Sequence, residues 1–116
     1  MTSLINLTPH ALALRAVDGS DTIVPPSGAV ARVTCTPGGP SGVGGVPVPI
    51  YGADVLGAVD GLPAPVEGVL YIVSAIVGAA CVGRTDVLVP GTGPSDGAVR
   101  NDKGHIVAVT RLKRVG

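Results

Sequence analysis

The sequence contains no tryptophan and no phenylalanine; its aromatic residues are Tyr51 and Tyr71, 2% of 116 positions. The stacking platforms on which proteins hold single-stranded nucleic acid are therefore missing. Charge is also scarce. Charged residues make up 14% of the chain, against roughly 25% in average soluble domains. Eight Lys and Arg balance eight Asp and Glu, for a formal net charge of +0. This excludes the cationic surplus that a phosphate backbone demands, so no nucleic-acid partner is expected. Glu67 is the sole glutamate and most aspartates sit in turn-like sequence, which leaves paired catalytic carboxylates without candidates. Cys35, Cys81, His10 and His105 lie scattered without metal-ligand spacing, so neither metal nor cofactor is expected.

Export and membrane signals are lacking as well. The opening MTSLINLTPH has no basic segment and no apolar core of a secretory leader. The longest apolar run, Val69 to Val82, is interrupted by Ser74 and Gly78 and falls short of the roughly 18–20 residues of a membrane span. No membrane partner is expected, and both cysteines read as free, buried thiols.

What the chain does have is glycine (18), proline (11) and a 46% hydrophobic content. The many turn formers suggest disorder, but the density of Val, Leu, Ile and Ala argues instead for a compact, turn-rich, β-leaning fold. So small a domain buries only about two-thirds of its surface when it folds alone, so part of its apolar surface is expected to meet another copy. The spacing of apolar residues and turn formers predicts strands at 4–7, 11–17, 22–24, 29–36, 53–59, 69–73, 84–90 and 105–112. Pro37 to Gly45 reads as a nine-residue loop, either a hairpin tip, a lid or a passive linker. Val46 to Tyr51, alternating proline with apolar residues, suits an edge strand or polyproline II. Ser74 is placed to cap a short helix over AIVGAACVG, closed by Gly83. The expectation is one α+β domain over residues 1–116, a mostly antiparallel, barrel-like sheet with one short helix after Ser74.

Candidate chemistry is sparse. No GxSxG elbow surrounds Ser74, and no catalytic constellation appears, so the chain reads as a non-enzyme. Asn6, Thr8 and His10 flank a proline kink and are candidates for presentation to a polar ligand, or else for closing off a strand end. Arg84 and Asp86 share a strand face and either pair with each other or offer a planar donor to phosphate and an acceptor to ribose. Gly91-Thr92-Gly93 suggests an amide nest for an anion, with an ordinary loop as the competing reading. Arg100, Lys103 and His105 cluster on a predicted hairpin turn. Arg111, Lys113 and Arg114 read as a basic tail that aids solubility.

The order INLTPH, PPSGAVARV, GLPAPVEGVLYIVS, RTDVLVPGTGP and VRNDKGHIVAV resembles a family of small uncharacterised proteins of bacteriophages and prophages, across nearly the whole chain. INLTPH and YIVS are the most specific segments, and PGGPSGVGG departs from the pattern in length and glycine content. The resemblance implies accessory phage biology in the host cytoplasm. By analogy with counter-defence sponges, it implies a homo-oligomer that sequesters a small nucleotide-derived immune signal without catalysis. The candidate ligand residues are then Asn6, Thr8, His10, Tyr71, Ser74, Arg84, Asp86, Thr92 and Arg100, with tyrosine against a base. The alternatives are a virion or protein-interaction module and a direct inhibitor of a host protein.

Overall fold

A computed structural model describes residues 2–42 and 44–115. Its elements are β1 (Ser3–Asn6), β2 (Leu12–Arg15), β3 (Asp21–Val24), β4 (Arg32–Thr36), β5 (Val55–Asp60), β6 (Val69–Ile72), α1 (Ala75–Ala79), β7 (Val87–Pro90), β8 (Val99–Arg100), β9 (Ile106–Ala108) and β10 (Leu112–Arg114). The α+β class read from the sequence holds: mostly strands, one short helix after Ser74, and several antiparallel pairs. Among the described residues the strands do not close into a barrel.

The centre is a four-stranded sheet of order β1-β6-β7-β10. VLYI of β6 is apolar on both faces, as a strand covered on both sides must be, and it pairs in parallel with both β1 and β7. Parallel neighbours require a crossover of about a dozen residues, and residues 73–86, which carry α1, supply it. Leu7, Ala31, Tyr71, Val73, Val77, Cys81 and Val87 form the buried cluster, flanked by Ile5, Val33, Val59 and Leu62. Three antiparallel ribbons, β2–β3, β4–β5 and β8–β9, surround this sheet. The turn formers read from the sequence close two of them. Gly19 turns with φ +88 between β2 and β3, and Asn101 Oδ1 accepts from the amides of Lys103 and His105 between β8 and β9.

Several expectations are corrected. The helix ends at Ala79 with Ala80 as its cap, and the chain reaches Gly83 through tight turns rather than a further helical turn. Gly78 lies where α1 presses on the sheet: a Cβ there would stand 2.5 Å from Val89 Cγ1 and 3.0 Å from Val115 Cγ1. Ser74 holds the N-cap position, but its hydroxyl makes no capping bond. The strand expected at 105–112 is two strands, because the chain bends at 109–111 where Gly91 N–H donates to Arg111 O and Thr110 Oγ1 to Asp96 O. Lys113 and Arg114 therefore belong to β10, antiparallel to β7, rather than to a solvated tail. Of the thiols, only Cys81 is buried; Cys35, on β4, is exposed. Burial pushes the Cys81 thiol above its ordinary range.

The segment read as a loop at 37–45 is in part a continuation of the β4–β5 ribbon. Gly52 N–H donates to Gly39 O, Ser41 N–H donates to Ile50 O, and Pro40 bridges Tyr51. The two strands approach so closely that a Cβ on Gly38 would lie 2.4 Å from Gly52 O. Among the described residues no helix is long and apolar enough to cross a membrane.

Candidate functional site

INLTPH builds the first wall of the site, and Asn6 is its clamp. The residue ends β1 and is 1% exposed. Asn6 Nδ2 donates to His10 O (2.8 Å) and Val24 O (3.1 Å), while Oδ1 accepts from Thr8 N (2.9 Å) and Thr8 Oγ1 (2.6 Å). Thr8 Oγ1 also lies 3.0 Å from His10 O, so its single proton is shared between Asn6 Oδ1 and that carbonyl. Proline at position 9 withholds an amide from this turn, and the Asn6 carboxamide closes it from inside. The amide's four hydrogen-bonding positions are engaged, so Asn6 orders the turn and has nothing left for a ligand.

Beyond the turn lies a cleft of about 540 Å³, within the roughly 300–1,000 Å³ of small-molecule sites. Thr8 and His10 line one side, Ser74 and Ala75 at the start of α1 another, Pro90 and Thr92 after β7 a third, and Ile106 to Val109 of the last ribbon a fourth. Four of the nine sequence candidates, Thr8, His10, Ser74 and Thr92, thus converge. The side chains of His10, Ser74 and Thr92 make no hydrogen bond among the described residues. Three polar side chains line a mostly apolar hollow, and neither Lys nor Arg lines it.

The remaining candidates lie elsewhere. Tyr71 is a core residue, 3% exposed, its hydroxyl directed at Ala64 O at 3.5 Å, and it presents no face to a base. Arg84 binds Asp86 with two prongs, Nε to Oδ1 and Nη2 to Oδ2, each at 2.8 Å, and Nη2 also reaches Pro63 O at 3.0 Å. The forked face a phosphate would need is filled by Asp86. That guanidinium holds the Asp86 carboxyl below the ordinary carboxylate range, and the carboxylate raises Arg84 in turn. Arg100 is exposed on β8 and donates to Gly104 O at 2.9 Å across its own hairpin.

The glycine nest is likewise closed. Gly91 N–H donates to Arg111 O at 3.0 Å and Gly93 N–H to Asp96 Oδ2 at 2.9 Å. The anion at the Gly93 amide is the protein's own Asp96, with Lys113 Nζ 3.4 Å and Arg111 Nη1 4.0 Å away. The Gly93 amide, with Lys113 and Arg111 behind it, keeps this carboxyl below its ordinary range against the opposing effect of burial. Sequence reading missed Asp96: its bond from Gly93 N–H is local, but Lys113 and Arg111, the cations beside it, lie far along the chain. It also missed Ile106, Val107 and Pro90 as cleft walls, since nothing local marks an apolar strand residue as lining a hollow.

No protein-family model, no curated protein and no solved structure matches the chain. The geometry therefore carries the functional reading.

Proposed function

We propose that this chain is a phage-encoded binding protein that holds a small nucleotide-derived immune signal in the cytoplasm of the infected cell without turning it over. The observation that carries the reading is the meeting of INLTPH, YIVS and VPGTGP at one cleft, with the uncommitted His10, Ser74 and Thr92 side chains facing an apolar hollow. Such a cleft suits the base and sugar of a ligand, whose edges take neutral hydrogen bonds while its faces meet Pro9, Pro90 and Val107. Arg84, Asp86 and Arg100 have no part in it.

Calorimetry against cyclic ADP-ribose-type molecules and cyclic oligonucleotides tests the proposal. One class binds tightly, and Ser74→Ala weakens that binding about tenfold, as expected for one hydrogen bond, with the melting temperature unchanged. Absent heat with both classes, together with no small molecule released from denatured protein purified from infected cells, overturns it. A second reading, a virion or protein-interaction module, is favoured by the exposed apolar ribbon distal to β4 and β5. Mass spectrometry of purified particles separates the two: the chain is abundant in virions under the second reading and missing under the first.

A further inference from the structure

The chain is too extended for its size. Its radius of gyration is 17.0 Å, where a compact domain of this length has about 13 Å. Its accessible surface is 7473 Å², where a compact monomer of 11.3 kDa has roughly 5,700 Å². The excess of roughly 1,700 Å² is about twice what one partner contributes to a standard interface.

Part of this surplus lies on one element. Beyond its root, where Val33 and Val59 join the core, the β4–β5 ribbon projects as an arm. Asp54 is the only charged residue between positions 33 and 59, yet Val48 is 65% exposed, Tyr51 58% and Val55 63%. Exposed ribbons are normally protected by charge. This one has prolines at 37, 40, 47 and 49 instead, which oppose the addition of another strand and leave side-chain packing as its mode of contact. A shallow groove of about 320 Å³ lies beside the arm's root, with Val30 and Val33 on one bank and Ile76 and Val77 of α1 on the other. Ile76 is 53% exposed.

A second copy supplies both halves of such a contact. Under a twofold axis an arm meeting a groove is repeated as the groove meeting the arm, so each copy covers area twice, once on its arm and once on its groove. The net charge of +0 opposes no such pairing. We infer that two copies of this chain associate about a twofold axis, each laying residues 46–51 of its arm in the groove between α1 and β4 of the other. This inference is independent of the ligand reading and survives its failure.

Light scattering on the full chain tests it. The wild-type protein elutes at 22.6 kDa, twice 11.3 kDa, at micromolar concentration. The arm variant V48D/I50D and the groove variant I76D each elute at the single-copy mass with unchanged circular dichroism. A wild-type mass of one copy overturns the inference, as does a dimer that persists in either variant. A nitroxide on exposed Cys35 of the otherwise unaltered chain checks it without altering the arm's apolar residues: dipolar spectroscopy gives one sharp inter-copy distance, and absence of coupling overturns the pairing.

Discussion

Replacing Asn6 by aspartate tests the clamp without changing its shape. The two side chains are near-isosteric, but aspartate at neutral pH only accepts hydrogen bonds. Oδ1 keeps its partners on Thr8, whereas the second oxygen now faces His10 O and Val24 O, which the amide had served at 2.8 and 3.1 Å. Two donors are lost, at a net of roughly 1 kcal/mol each, and two carbonyls are left facing a carboxylate at a position only 1% exposed, for about another 2 kcal/mol. The variant should lose about 4 kcal/mol at pH 7, which for a domain of this size is a fall of about 15 °C in melting temperature. The sign with pH is diagnostic. The new carboxyl has a folded-state pKa above its unfolded value of about 3.9, so the loss is present at neutral pH and relieved as acid protonates it to donate one O–H. Wild-type protein runs the other way: the Asp86 and Asp96 carboxyls lie below their ordinary range, so their stabilisation is complete above about pH 4 and is lost as pH falls further. Urea melts of Asn6→Asp at pH 7 and pH 5 decide the matter. A loss under about 1 kcal/mol, or one that ignores pH, refutes the clamp.

Arg84→Ala should cost about 2 kcal/mol, because it strands the Asp86 carboxylate, whose side chain is 13% exposed, while ligand affinity stays put; weakened binding at an unchanged melting temperature would reassign Arg84 to the ligand. Gly78→Ala should lose about 1–2 kcal/mol, since a Cβ 2.5 Å from Val89 Cγ1 overpacks the α1–β7 contact by more than the better helix propensity returns. A neutral or stabilised Gly78→Ala in thermal melts would show that α1 is not seated as described.

Much of the fold was legible because local patterns set it. The Asp18–Asp21 and Asn101–Gly104 turns, β6 and the Ser74 helix start all follow from a few adjacent residues. What escaped was anything decided at a distance. β1 pairs with β6 in parallel, Ser3 beside Val69, and no residue in either strand encodes that choice. β10 was missed because Leu112 closed an alternating run and Lys113 and Arg114 look like tail residues until β7 pairs with them. The arm reads as a loop because glycine and proline signal turns, although Gly39, Pro40 and Ser41 continue a paired ribbon. For the cleft, the right segments stood out, while their assembly depended on a crossover and a ribbon with no local mark.

The difference between the five candidates that fell away and the three with uncommitted side chains lies in what else each can satisfy. A buried or half-buried charged or amide group must find a partner within the fold, so residue types suited to gripping a ligand are also those the protein consumes internally. Asn6, Arg84 and Asp86 show this directly, and even the exposed Arg15 and Asp21 pair with each other on β2–β3. Even the glycine nest holds a carboxylate of its own. His10, Ser74 and Thr92 remain available: they stand between elements, after β1, at the start of α1 and after β7, on the lining of the hollow. In a charge-poor chain, a ligand held at this cleft, as we propose, would be gripped by shape and polar side chains rather than by lysine or arginine.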